Sequence, residues 1–401
     1  MFDAMSEVIN SPSTFKENPP TVPTVWRSTE NNLRQIIGIE NLVDILDGVV
    51  HAKDNVRITI DGDTIDSGAY TAARTEGGSF AGEVLPIQVA KYLEKGASLV
   101  INNLERHWRP LRDYHRRLTH EIGTGIECVG FLTPPKERGF RPHYDQLDVL
   151  ICQVSGHKTW RLYKPVVENP LIGDNPPAGA DLSGYISNEQ PFLEIELGPG
   201  ERLWIPRGWV HVGFSGRNEY SWHVSLVFCD YTHKWLALEI IKALATSVDE
   251  SFLRSLLPRG VASDRDLLNV SVRAVVERII ETLPTLDFDH VVHSVQRQMR
   301  TTLPSVPRPL TDVHIGPDTW LQIVPESILA TSRRNDGKLD LQLSRGKLTI
   351  NESAADFFSR ILEAGDGDRR WLSTDLAPQV GVESAIEVAK KLYKAGVARV
   401  L

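Results

Sequence analysis

From Gly125 to Asp230 the sequence breaks into short apolar runs separated by turn signals at fairly regular intervals. That grammar predicts an antiparallel β architecture, a barrel or jelly roll. One stretch organises it, from Arg141 through Pro142, His143, Tyr144 and Asp145 to Trp160. It reads as a strand, a tight turn at Ser155-Gly156 and a second strand. Pro142 sets an extended entry, and Val149 to Val154 is a buried-strand run broken only by Gln153.

In a strand, residues i and i+2 point to the same face. His143 and Asp145 therefore project together, one ring nitrogen and one carboxylate oxygen. A third ligand candidate, His211, follows in the segment Leu203-Trp204-Ile205-Pro206-Arg207-Gly208-Trp209-Val210-His211. Two His and one carboxylate with open coordination positions is the arrangement of non-haem Fe(II) oxygenases. With 12 His in the chain, a His-x-Asp pair arises by chance about once, so the pair gains its meaning from context. Lys158 opens the second strand and shares a face with Trp160 and Leu162. A lysine facing the same way as apolar side chains calls for an anion, because an unpaired buried cation is costly. The distal carboxylate of 2-oxoglutarate is such an anion. The competing readings are bland: a surface His-Asp pair, a core histidine at 211, and a lysine that snorkels to solvent.

Five segments carry a resemblance in order: Phe131-Leu132-Thr133-Pro134-Pro135 with Gly139 to Asp145, then Gln153 to Pro165, then Ile205 to His211, then Ser221-Trp222-His223-Val224-Ser225. On these the chain resembles the JmjC (cupin-like) Fe(II)/2-oxoglutarate oxygenases, and among them the ribosomal-oxygenase group of protein hydroxylases. The resemblance implies that His143, Asp145 and His211 bind iron. It also implies that Lys158 and Ser225 bind the cosubstrate and that the fold is a double-stranded β-helix. Some members carry an Asn and a Tyr beside the cosubstrate on the preceding strand; here those positions are Val129 and Phe131. His223 shares the inward face of Ser221 and Ser225, and is expected in a supporting or core role rather than as a ligand. His157 is expected to be exposed, and Asp148 is assigned no chemistry.

The rest of the chain frames this core. Length predicts two or three domains in 401 residues. With 41% hydrophobic and 24% charged residues the chain has globular composition, and no apolar run is long enough for a membrane span. Three cysteines near predicted core strands and the lack of a signal-peptide pattern point to a reduced, cytoplasmic protein. A net charge of -8 argues against unaided nucleic-acid binding and suits a basic polypeptide partner. Residues 1–25 are expected as a flexible arm and 26–232 as the catalytic domain. His107 to Ile122 reads as a basic amphipathic helix whose Arg112, Arg116 and Arg117 form a solvated face. The insert Val166 to Gln190 is expected to act as a substrate lid.

After Asp230 the spacing turns helical. Residues 233–303 form an apolar helical block that the resemblance implies is a dimerisation region. Leu303 to Pro309 reads as a linker. Residues 310–401 are similar to a winged-helix-like module, with a strand pair around Ser344-Arg345-Gly346 and a helix expected to begin at Leu372. Its last helix is balanced in charge, so direct DNA binding is not expected. The function implied is hydroxylation of an Arg or His type side chain of a protein, possible targets including a ribosomal protein, with O2 as co-reactant. The alternatives are a natural-product peptide or small-molecule hydroxylase, and, in another class, a non-oxidative cupin binding protein or metal isomerase.

Overall fold

The computed structural model describes the chain apart from residues 1–3, 6–7, 10–11, 29–30, 48–54, 74–81, 248–249, 305–308, 325–326, 344–345 and 364–368. Its residues divide into two compact units. One comprises Met1–Cys229 with Leu303–Leu401, the other Asp230–Thr302.

The first unit begins with eleven strands: β1 Thr24–Trp26, β2 Val56–Ile60, β3 Asp63–Thr64, β4 Ser98–Ile101, β5 Gly125–Thr133, β6 Asp148–Ser155, β7 Lys158–Tyr163, β8 Leu193–Leu197, β9 Arg202–Ile205, β10 Val210–Phe214 and β11 Ser221–Cys229. Eight form a large antiparallel sheet in the order β1-β9-β6-β11-β5-β4-β2-β3, and three form a small one, β10-β7-β8. The expected β-rich core of antiparallel sheets is therefore present. The turn at Gly156 joins β6 to β7, and it needs glycine: φ is +64° and a Cβ would meet the Tyr220 carbonyl oxygen at 2.0 Å.

The two sheets face each other through Val149, Ile151, Leu203 and Ile205 on one side and Trp160, Leu162 and Leu197 on the other. The opposite face of the large sheet is also covered. Leu150, Cys152, Val154, Trp204, Val224 and Phe228 pack there against Leu111, Tyr114 and Leu118 of the helix Arg109–Ile122. Burial on both faces explains why Val149 to Val154 is apolar at every position but Gln153 rather than alternating. Burial pushes the Cys128 thiol up, and the Cys152 thiol up to about 12, so both behave as small core hydrophobes.

Three expectations need correction. Residues 1–25 are not a free arm among the described residues. Ala4, Met5, Val8, Ile9 and Phe15 are buried, the Ala4 and Met5 amides donate to Glu121 at 2.7 and 3.2 Å, and β1 pairs with β9. The physical reason is the aromatic surface of Trp204 and Phe228: Phe15 meets Trp204 edge-on with centroids 4.8 Å apart and lies tilted against Phe228 at 5.8 Å. The basic helix starts at Arg109, with Trp108 extended before it. Its arginines are not a simple solvated face: Arg112 donates to the carbonyls of Glu105 and Arg106 at 3.2 and 2.6 Å, and Arg116 pairs with Asp113 at 3.4 Å. Leu372 ends a strand instead of opening a helix, because Trp371 is buried in that strand's pairing.

That strand belongs to the C-terminal segment, which holds β12 Trp320–Ile323, β13 Ile328–Arg333, β14 Leu339–Leu343, β15 Gly346–Ile350, β16 Arg370–Leu372 and β17 Ala398–Val400. They form two three-stranded sheets, β16-β12-β17 and β13-β14-β15. With the helices Glu352–Glu363 and Val382–Lys394 they enclose a separate apolar cluster around Leu341, Phe358, Trp371 and Leu392. Ser344 and Arg345, read as a turn, lie outside the described residues, as do Ser305 to Arg308 of the expected linker.

The second unit is helical, with His233–Ser247, Arg265–Thr282 and Phe288–Thr301 as its main elements. Its core is small, centred on Leu244, Leu286 and Val291. The apolar stripe of the second helix is only partly used: Leu268, Val272, Val275 and Val276 stay exposed within the chain.

Candidate metal centre

The loop Pro134–Leu147 between β5 and β6 carries His143 and Asp145, and β10 carries His211. Strand β6 begins only at Asp148, so the expected strand through His143 is instead an extended loop held at one residue. The His143 amide donates to the His211 carbonyl at 3.2 Å and the His211 amide returns the bond at 2.8 Å. This bridge sets the two histidines opposite each other, with ring centroids 4.5 Å apart. On its far side the loop is held by the insert: Leu182 and Gly179 donate to the carbonyls of Pro142 and Tyr144 at 2.7 and 3.0 Å, and the Tyr144 hydroxyl donates to Pro176.

The ligand atoms converge. Asp145 Oδ1 lies 4.0 Å from His143 Nε2, and Asp145 Oδ2 lies 3.6 Å from His211 Nε2. All three ligand atoms fall within 4.8 Å of one another. Each histidine hands its Nδ1–H to a backbone carbonyl, His143 to Arg141 at 2.7 Å and His211 to Trp209 at 3.0 Å. That leaves each Nε2 with its lone pair toward the cluster, the tautomer a metal needs. Burial and the neighbouring His143 push the His211 pKa down, which keeps the imidazole neutral and able to ligate. The donor set of two imidazoles and one carboxylate on one side fits a single Fe(II)-type ion.

Asp148, given no chemistry from sequence, has a structural task here. Its Oδ1 accepts the Arg207 amide at 2.7 Å, and the Gly208 amide bonds the Asp145 carbonyl at 2.9 Å. These bonds tie the loop before His211 to the segment carrying the other two ligands.

A cavity of about 380 Å³ extends from this cluster into the space between the sheets. Lys158 projects into it. The side chain is 4% exposed, donates to Thr133 Oγ1 at 3.0 Å and sits 5.2 Å from the Trp160 ring centre. No carboxylate lies within ion-pair distance of it among the described residues. Burial pulls its pKa down to about 7. Gly213, opposite Trp160 in the β10–β7 register, makes the room: a Cβ there would meet Lys158 Cε and the Trp160 ring at 2.9 Å. Ser225 is buried and lines the same cavity, while Val129 and Phe131 line it without offering a hydrogen bond.

Sequence reasoning missed two further residues. Thr133 supplies the one hydrogen bond to Lys158 named above, and the only hint was its place in the motif ending Pro134-Pro135. Arg57 on β2 also lines the cavity, with its guanidinium 4.9 Å from the Phe140 ring centre. Its Nε is buried without a hydrogen-bond partner among the described residues. No local pattern marks such a residue. His157 is half-buried and bonded to Glu219 at 2.6 Å, outside the cavity.

Similarity to known proteins falls on the segment that carries this cluster. Residues 106–234 match the family described as JmjC domain. A protein of Drosophila persimilis, "Bifunctional lysine-specific demethylase and histidyl-hydroxylase NO66", is 31% identical over 187 residues, 46% of this chain and 26% of that protein. Human "Ribosomal oxygenase 1" is 28% identical over 206 residues, 49% of this chain and 31% of that one. The chain thus spans about a quarter to a third of the length of these relatives. Among solved structures, the Escherichia coli ribosomal oxygenase YcfD is similar in fold at 15% identity, with a TM-score of 0.54 over 97% of both chains. The same protein in complex with cobalt and 2-oxoglutarate gives 0.52 at 16% identity over 98% of each. Residues 106–234 of this chain are thus similar to a JmjC domain, and that segment holds all three residues of the cluster.

Proposed function

We propose that this protein is an Fe(II)- and 2-oxoglutarate-dependent dioxygenase that hydroxylates a side chain of another protein. One observation carries the reading: a two-His, one-Asp cluster shares a cavity with a buried lysine that has no carboxylate partner among the described residues. His143, Asp145 and His211 would hold the metal and leave positions on it for exchange. Lys158 and Ser225 would take the distal carboxylate of the 2-oxo acid, and the apolar walls of Val149, Ile151 and Trp160 would keep bulk water from it. Bound there, Fe(II), O2 and 2-oxoglutarate supply the oxidising chemistry, with succinate and carbon dioxide as coproducts. The chain's own task is to orient and to exclude water.

The substrate is proposed to be a ribosomal protein, as the name of one relative, Ribosomal oxygenase 1, suggests. Arg57 on the cavity wall opposes a cationic target, whether guanidinium or methyl-ammonium. Of the Arg and His side chains expected, it therefore favours His. Ala178 and Gly179 of the insert line the cavity, which supports the insert's role at the substrate mouth. The exposed stripe Val272, Val275 and Val276 supports dimerisation through the helical region 233–303. For 310–401 we propose a winged-helix-like module in a structural role, without direct DNA binding. The buried free thiols fit a cytoplasmic setting.

The test is an anaerobic titration with Fe(II) and then 2-oxoglutarate, read by the visible metal-to-ligand charge-transfer band. The band should form in the wild type, vanish in His211→Ala and weaken in Lys158→Ala. A folded, metal-loaded protein with no band would refute the cosubstrate reading and favour a non-oxidative cupin binding protein or isomerase.

A further inference from the structure

The buried end of the cavity contains a polar group that the ligand set above does not use. His223 on β11 is 1% exposed and lines the cavity with Ser225, two residues on. It is outside the metal cluster. Its ring lies flat on Phe131, with centroids 4.8 Å apart and planes within 6°. Trp160 meets it edge-on at 5.5 Å and 80°. Strand register sets this clamp: His223 pairs with Phe131 across β11–β5. The imidazole Nδ1 is buried and has no hydrogen-bond partner among the described residues.

A buried imidazole without its hydrogen bond is costly, and such a group in a native fold calls for a partner. Packing alone does not explain the residue. Its ring neighbours Phe131 and Trp160 are aromatic, and a phenylalanine would fill the same slot. What distinguishes histidine is its ring N–H. Burial and the charge of nearby Lys158 drive the His223 pKa well below its ordinary value, so the ring is neutral, with one N–H to donate and one lone pair. A carboxylate entering this end meets Lys158 and Ser225. It has about four acceptor positions to satisfy, and Val129 and Phe131 give none.

We propose that His223 donates a hydrogen bond to the distal carboxylate of the cosubstrate, beside Lys158, and that the Phe131–Trp160 clamp sets the ring's orientation for it. His223 would then help this protein choose a 2-oxo acid with a second carboxylate over one without. The inference rests on the cosubstrate reading above.

The test is calorimetric binding to Mn(II)-loaded protein under anaerobic conditions, with two ligands. 2-Oxoglutarate carries the distal carboxylate, and 2-oxobutyrate has the same 2-oxo acid head without it. His223→Phe keeps the stacking and removes the N–H. It should weaken 2-oxoglutarate about tenfold and leave 2-oxobutyrate unchanged. His223→Gln, which restores an N–H donor, should recover much of the loss. Unchanged 2-oxoglutarate affinity in His223→Phe overturns the proposal. So does an equal loss for both ligands, which is what a packing defect would produce. A wild type that binds neither ligand removes the cosubstrate reading itself, and this inference with it.

Discussion

Replacing Lys158 with methionine should make the ligand-free protein more stable and unable to hold the proposed 2-oxoglutarate cosubstrate. Lys158 is 4% exposed and its partner is a neutral hydroxyl. Its pKa falls from 10.5 to about 7 through burial. At ~1.36 kcal/mol per pH unit, that drop corresponds to about 5 kcal/mol of charge-burial cost. Relaxation and water entry reduce the measurable part, so the expected gain for Lys158→Met is about 2 kcal/mol at pH 7. The sign with pH follows from proton counting. The unfolded chain keeps the Lys158 proton up to about 10.5, while the folded chain releases it near 7. Between those values the unfolded state binds more protons, so wild-type stability rises with pH and the advantage of the variant shrinks. Below pH 7 both states are protonated and the full cost is present. The assay is urea unfolding of both proteins in chelator at pH 6, 7, 8 and 9. A variant that is no more stable than wild type at pH 6 and 7, or an advantage that grows toward pH 9, would refute the account of Lys158 as an unneutralised buried cation.

Three further outcomes follow from the same geometry. Gly213→Ala places a Cβ 2.9 Å from both Lys158 Cε and the Trp160 ring; it should displace the lysine and weaken 2-oxoglutarate at least tenfold in a calorimetric titration while metal binding persists. Asp148→Ala frees the Arg207 amide from its 2.7 Å bond, and metal affinity measured by chelator competition should fall roughly 10- to 100-fold as the His211 loop loosens. Leu182→Ala empties the contact of the insert with Tyr144, Tyr163 and Val210; it should destabilise by about 2–3 kcal/mol in denaturant unfolding and raise the KM for the proposed protein substrate, with 2-oxoglutarate affinity unchanged.

Much of the site was legible in the sequence because its signals are local. His143 and Asp145 are two residues apart, the Ser155-Gly156 turn fixes where β7 starts, and Lys158 falls beside Trp160 within one strand. Local alternation also identified His223 as inward-facing. It could not distinguish a strand from an extended loop at 141–147, because both space side chains alike and only the hydrogen-bond partners differ. The free arm expected at 1–25 failed for a related reason. Its polar, Pro-rich composition is real, but the few apolar residues in it meet an aromatic surface contributed by Trp204 and Phe228.

By itself, then, the sequence determined the β class of residues 125–230, the residue types of the His-Asp-His cluster, the buried lysine and the helical character after Asp230, all of which are written in runs of a few residues. Tertiary structure decided which of those residues meet. The bridge from His143 to His211, Thr133 against Lys158, Arg57 on the wall and the Phe131–His223–Trp160 stack all join residues from different strands. Such contacts depend on sheet order and register, which are set by how the whole chain buries its apolar surface, and no local period encodes them.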